Sequence, residues 1–161
     1  MTTPHIRPVT PADIPQILQF IHDLALYEKE PEAVIATEQH LQRVLFGASP
    51  KVFGLIAEID SKAVGFAIYF FSFSTWLGRH GIYLEDLYVK PETRGSGVGK
   101  SLLQSLAKIA VENDCGRVEW SVLNWNEPAI KFYQAIGAKP QDEWTVYRLT
   151  DSALTDFAKS D

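Results

Sequence analysis

Between residues 94 and 100 the chain reads Arg94-Gly95-Ser96-Gly97-Val98-Gly99-Lys100, with glycine at every second position ahead of a stretch of helical periodicity. Where a strand turns into a helix through such a loop, the first helical N–H groups lack partners and the helix dipole favours an anion. Glycines let that backbone approach a phosphate with no side chain in between. Spacing separates three phosphate-binding readings. A P-loop needs G-x-x-x-x-G-K-[ST], yet five residues before Gly99 of Gly99-Lys100-Ser101 stands Arg94. A dinucleotide fingerprint needs G-x-G-x-x-G, and three residues past Gly97 is Lys100. What remains is R-G-x-G-x-G.

That pattern resembles the acetyl-CoA pyrophosphate loop of the GNAT acetyltransferase superfamily. Tyr83-Leu84-Glu85-Asp86-Leu87-Tyr88-Val89 before it and Trp125-Asn126-Glu127-Pro128-Ala129-Ile130-Lys131-Phe132-Tyr133 after it are similar to two further segments of the thialysine and diamine (spermidine/spermine) acetyltransferase branch. With Leu24-Ala25-x-Tyr27-Glu28 near the start, the likeness spans nearly the whole chain. It implies an acetyl-CoA-dependent N-acetyltransferase, with the co-substrate held between splayed central strands. By position, the backbone of Leu87, Tyr88 and Val89 would meet the pantetheine arm, and Arg94, Gly95, Ser96, Gly97, Val98, Gly99 and Lys100 would surround the pyrophosphate. Asn126, Ala129 and Tyr133 would contribute from the following helix. The resemblance also implies a homodimer.

Moving acetyl from a thioester to an amine requires a neutral amine, a donor for the developing oxyanion and a proton for the departing thiolate. An alkylamine of pKa near ~10.4 is only ~0.1% neutral at physiological pH, a deficit of roughly 4 kcal/mol that a base or a desolvating site must offset. The resemblance places Glu85 at the centre of the site as that base, acting through water. Strand alternation would send Asp86 to the other face as a structural residue. Tyr133 matches the position of the family's general acid, and a phenol protonated at pH 7 can serve the sulfur. The backbone N–H of Leu87 or Val89 would hold the oxyanion.

On the amine side, Glu28, with Glu30 and Glu32 behind it, and Asp142-Glu143 offer carboxylates to a cation. Tyr27 and Glu28 are expected to contact the substrate, and Trp76 lies in the loop that faces the amine in the related enzymes. The polyamine branch carries an Asp two residues before that tryptophan, where this chain has Ser74. Ser74-Thr75-Trp76-Leu77-Gly78-Arg79 looks instead like the thialysine branch, and Arg79 could meet a substrate carboxylate that a polyamine lacks. The expected substrate is a small primary amine, a lysine analogue first and a polyamine second. A protein-lysine acetyltransferase and a non-catalytic CoA-binding module are the other classes considered. Peptide turnover tests the first. The second would tolerate loss of Glu85 and Tyr133, both of which are present. His5, His22, His40 and His80 show no metal-ligand spacing with one another or with Cys115, so no metal is expected.

Positioning these groups takes a fold of mixed elements. Thr10-Pro11-Ala12-Asp13 predicts a helix N-terminus followed by an apolar face of Ile14, Ile17, Leu18, Ile21, Leu24 and Ala25. Thr37 predicts a cap for a second helix bearing Leu41, Val44 and Leu45. The runs 52–59 and 62–73, joined at Asp60-Ser61, predict a hairpin, and 82–89 a third strand. Val98, Leu102, Leu106, Ile109 and Ala110 share a helical face. Strand 117–123, helix 126–136 with Gly137 as its C-cap, and strand 144–149 complete the order βααβββαβαβ. The fold class is α+β, a mostly antiparallel mixed sheet flanked by helices.

At 161 residues the chain is sized for one domain, 1–161, able to bury ~70% of its unfolded surface. Hydrophobic residues at 46% against 22% charged rule out a disordered composition. Fifteen Lys and Arg against 20 Asp and Glu give a formal charge of -5, which would repel a phosphate backbone, so nucleic acid is not an expected partner. A single cysteine allows no intramolecular disulfide and fits a reducing, cytoplasmic setting. No basic-then-apolar leader and no run of ~18 apolar residues is present, so neither export nor a membrane partner is expected.

Overall fold

The computed structural model describes residues 3–159. It contains strands β1 (His5–Pro8), β2 (Phe53–Ile59), β3 (Lys62–Ser74), β4 (Arg79–Val89) and β5 (Val118–Trp120). The helices are α1 (Ile14–Tyr27), α2 (Glu38–Phe46), α3 (Val98–Glu112), α4 (Glu127–Ala135) and α5 (Asp151–Lys159). The chain forms two compact units, Met1–Leu123 and Asn124–Asp161.

In the first unit the sheet runs β1-β2-β3-β4-β5, antiparallel throughout except for the parallel pair β4–β5. Asp60 and Ser61 both adopt positive φ, 51° and 62°, as a two-residue hairpin turn matched to the strand twist requires. Before α1, the Thr10 backbone N–H and hydroxyl both donate to Asp13 (2.7 and 3.1 Å), whose carboxylate also takes a two-pronged bond from Arg7. That fork and the Thr10 N–H hold the Asp13 carboxyl down at about 2, against the opposing effect of burial. At α2 the predicted cap is present: Thr37 Oγ accepts from the His40 N–H, and His40 Nδ1 accepts from the Thr37 N–H, both at 3.2 Å.

Ile14, Ile17 and Phe20 of α1 and Leu41 and Leu45 of α2 bury against Ile56, Phe66, Ile68 and Tyr88 of the sheet. Each such side chain contributes about 1.5–3 kcal/mol. Helix α3 packs against β3 and β4 and buries Val98, Leu102, Leu103, Leu106 and Ala110.

The second unit departs from expectation after α4. Residues 144–149 form no strand, and Trp144, Val146, Tyr147 and Leu149 are 66, 83, 93 and 50% exposed. A strand persists only where a neighbour closes its backbone hydrogen bonds, and the described residues of this unit contain no other strand. Helix α5 follows, with Asp151 in its first turn and Lys159 in its last, each complementing the helix dipole. Strand β5 is also shorter than the 117–123 span expected of it.

Candidate active site

Strands β4 and β5 pair only from Ile82↔Val118 to Leu84↔Trp120, whereas β4 continues to Val89. Beyond Leu84 the β5-side edge of β4 has no strand partner among the described residues. Backbone N–H groups on such an edge can bind an extended ligand, the Val89 carbonyl being already taken by Arg94 Nε–H. The strands part beside Tyr83, whose hydroxyl lies 2.7 Å from Ser121 Oγ.

At the same point β4 carries one extra residue. Tyr69 pairs with Leu84, Ile68 with Asp86 and Ala67 with Leu87, leaving Glu85 without a partner in β3. Cross-strand partners share a face, so Asp86 sits with Ile68 on the side of the sheet covered by α1 and α2. Leu84 and Leu87, three residues apart, share the opposite side, a spacing that only a bulge allows. The expected alternation that would have sent Asp86 away from Glu85 therefore does not hold. Burial first, then the charges of Glu85 and Glu28, push the Asp86 carboxyl up to about 6.

Glu28 directly follows α1, with its N–H on the Leu24 carbonyl at 2.9 Å, and burial raises its carboxyl as well. Glu28, Glu85 and Asp86 thus gather three acids near the point where β4 and β5 separate. None of the guanidinium groups that pair with acids in this unit, those of Arg7, Arg79 and Arg117, pairs with any of them. The described residues hold no group of three or more acids, histidines or cysteines arranged to ligate a metal.

Past β4, a one-turn helix at Pro91–Thr93 leads into the glycine loop. Gly95 and Gly97 have φ of 86° and 85°, and a Cβ on either would meet nothing within 4 Å. Gly97 is the N-cap of α3 and offers no side-chain cap, and the bond from Ser101 N–H to the Gly97 carbonyl closes the first helical turn. The N–H groups ahead of that bond are left for an anion. Val98 turns its side chain into the core, 1% exposed, and Gly99 rests on Val89, while Ser96 donates to the Thr93 carbonyl and Lys100 is exposed. Arg94 folds back to give Nε–H to the Val89 carbonyl at 3.1 Å. These residues fit a pyrophosphate through backbone groups and open space.

In the second unit, Asn126 stands at the N-cap position of α4, and Ala129 and Tyr133 follow at spacings of three and four on the same side of that helix. All three are half-buried, and the Tyr133 ring lies 5.8 Å from that of Phe132.

Two expected substrate contacts fall elsewhere in the first unit. Arg79 begins β4, six residues before Glu85, which is about 20 Å along a strand. Its guanidinium is committed to the Asp114 carbonyl (3.1 Å) and carboxylate (2.9 Å). Trp76, in the β3–β4 turn, is farther still along the strand and 86% exposed. Ser74 is buried, its hydroxyl accepting the Leu77 N–H at 3.2 Å within that turn. Sequence reasoning expected Asp86 on the face opposite Glu85, and the bulge beside it leaves no mark in the sequence.

The profile of the Acetyltransferase (GNAT) family matches residues 16–138. The chain is 38% identical to thialysine N-epsilon-acetyltransferase of Bos taurus, over 95% of this chain and 96% of that protein. It is 31% identical to L-ornithine N5-acetyltransferase of Arabidopsis thaliana, over 92% and 85% respectively. A solved integron cassette protein from the mobile metagenome of V. cholerae superposes with a TM-score of 0.82 at 30% identity, covering 99% of this chain and all of that one.

Proposed function

The chain belongs to the GNAT acetyltransferase family, and from that premise we propose that it transfers acetyl from acetyl-CoA to the side-chain amine of a lysine-like amino acid such as thialysine. The observation that carries the reading is the gathering of Glu28, Glu85 and Asp86 beside the opened edge of β4. Three acids, none of them in an ion pair with an arginine among the described residues, make a site that attracts an ammonium group and that an anionic acceptor would avoid. The names of the bovine and plant relatives, both acting on an amine at the end of an amino-acid side chain, support the lysine-like choice.

Acetyl-CoA supplies an activated thioester carbonyl. Gly95, Gly97 and the first turn of α3 hold its pyrophosphate, and the free edge at Leu87, Tyr88 and Val89 aligns the arm that follows. Glu85, through a water, removes the proton that the amine must lose. An N–H of Leu87 or Val89 holds the charge that develops on the carbonyl oxygen. As the new C–N bond forms and the C–S bond breaks, the Tyr133 hydroxyl supplies a proton to the sulfur, and the second proton released by the nitrogen restores the phenol through solvent. Asn126 and Ala129 belong to the donor side. The family profile runs across the boundary between the two units, which supports their working as one acetyltransferase domain.

A polyamine or diamine is the second reading. The observation in its favour is the commitment of Arg79 to Asp114, a guanidinium that a dication, having no carboxylate, does not need. A homodimer is supported by the apolar side chains that residues 144–149 leave exposed, and a cytoplasmic setting by the single, buried, unpaired Cys115. No helix among the described residues is long and apolar enough to cross a membrane. A CoA-release screen with thialysine, lysine, ornithine, spermidine, short diamines and a lysine peptide decides the acceptor. Thialysine should give the highest kcat/KM; turnover of the peptide alone would overturn the small-molecule reading.

A further inference from the structure

Two side chains bridge β4 and β5 at the place where their backbones stop pairing. The last parallel pairs are Tyr83↔Glu119 and Leu84↔Trp120, so Ser121 is the first residue past the ladder. Tyr83 reaches it: the phenol oxygen and Ser121 Oγ share a hydrogen bond of 2.7 Å. Ser121 lies two residues beyond Glu119, the partner of Tyr83, so the phenol crosses the gap diagonally, along the direction in which the strands diverge. Glu119 itself takes a bond from Arg117 Nε at 3.0 Å. From the β3 side the Tyr83 ring is backed by Phe70, its cross-strand partner, at 5.3 Å between centroids and 33° between planes. Tyr83 is thus held at both ends, by β3 through its ring and by β5 through its hydroxyl. A tyrosine side chain extends farther than the ~4.8 Å that separates paired strands, so a phenol pinned in this way ties two strands together without closing them into a ladder.

We propose that Tyr83 is a positioning residue for the pantetheine arm of the donor, acting through Ser121 to fix how far β5 stands from β4 where the arm enters. The inference rests on the acetyl-donor reading above, in which the arm lies along β4 at 87–89. The bulge at Glu85 interrupts the regular ladder, but a bulge alone does not set the distance to the next strand. Without the Tyr83 bond the chain past Trp120 loses this tether. It can then drift from β4 or close over the edge N–H groups, and the arriving donor must order it at an entropic cost. The hydroxyl is the working part, and the contact with Phe70 aims it. Tyr83 is half-buried and Ser121 exposed, so water competes for the bond and the effect falls at the low end for one hydrogen bond.

The test compares two ligands by calorimetry without amine: acetyl-CoA, and 3′-phospho-ADP, which is the same donor cut off before its pantetheine arm. Tyr83→Phe keeps the ring and loses the bond. It should weaken acetyl-CoA about two- to five-fold and leave 3′-phospho-ADP unmoved. Ser121→Ala should do the same, the double variant should be no weaker than either single one, and Ser121→Thr, which keeps a hydroxyl, should bind as wild type. In the ligand-free protein, amide hydrogen exchange at 120–122 should quicken by a similar factor in Tyr83→Phe. Urea unfolding of each variant separates these effects from loss of the fold. Unchanged acetyl-CoA affinity in folded Tyr83→Phe would overturn the proposal. Equal losses for the two ligands would overturn it too, since the defect would then lie at the pyrophosphate, as would additive losses from Tyr83→Phe and Ser121→Ala. Wild-type protein that binds no acetyl-CoA would sink the donor reading as well, whereas tight wild-type binding with an unmoved Tyr83→Phe sinks the bridge alone.

Discussion

Replacing Asp86 by Asn should make the folded protein more stable at neutral pH while lowering its activity toward cationic amines. The folded state raises this carboxyl from 3.8 to about 6, chiefly by burial and secondarily through Glu85 and Glu28. A shift of roughly two pH units corresponds to about 3 kcal/mol of penalty for holding the charged form, an upper figure because the site can relax. The sign follows from proton binding. Between pH 3.8 and about 6 the unfolded chain has already released its proton while the folded chain retains it, so stability falls as pH rises through that window and the loss is complete above it. Asn has nearly the same shape and cannot ionise. The stability difference between Asp86→Asn and wild type should therefore grow by about 1–3 kcal/mol in favour of the variant from pH 4 to pH 7.5. Urea unfolding of both proteins at the two pH values, with equal m, reads it directly; groups not coupled to Asp86 cancel in the difference, and the relief of Glu85 and Glu28 adds to it with the same sign. A dicationic amine should stabilise wild type more than the variant at pH 7.5. A pH-independent difference would mean that the carboxyl is not held near its neutral form, and the account of the three acids would fall with it.

Tyr133→Phe keeps the ring and removes the transferable proton; kcat should drop ~10²-fold with donor affinity little changed, and wild-type kcat would return Tyr133 to a packing role. Gly97→Asp puts a β-carbon at φ 85° and an anion at the α3 N-terminus, so acetyl-CoA affinity should fall at least about ten-fold by calorimetry, and an unchanged affinity in a folded variant would refute the phosphate loop. Asp13→Asn removes a carboxyl held at about 2, chiefly by Arg7. Stability should drop by about 2 kcal/mol above pH 4, and the deficit should vanish as pH falls through about 2, as followed by denaturant unfolding across pH.

The elements of the first unit were legible where a local rule set them. Thr37 with His40, Asp60-Ser61 and the glycine loop each act within four residues, and each lies where the sequence puts it. Phe20, fully buried, escaped the predicted α1 face because its neighbours there, Phe66 and Tyr88, come from distant strands. The same non-locality explains residues 144–149, whose strand-like composition says nothing about whether a partner strand is within reach. The positions proposed for the donor, 87–89, 94–100, 126, 129 and 133, were read from motif resemblance, and the loop geometry at 94–100 suits an anion. Two acceptor-side features escaped local rules: the bulge beside Asp86 is a property of two strands together, and the Asp114 that holds Arg79 lies 35 residues later.

The bulge in β4 also makes the strand one residue too long for its neighbour. With Glu85 deleted, Leu84, Asp86 and Leu87 would alternate regularly, and each could keep the partner it now has, Tyr69, Ile68 and Ala67. An ordinary ladder is therefore a single-codon deletion away. Lineages that lost this residue would be expected to retain a well-folded protein of the same outline with one acid fewer at the opened edge, and a paralogue of this kind should be recognisable by its β4 length alone.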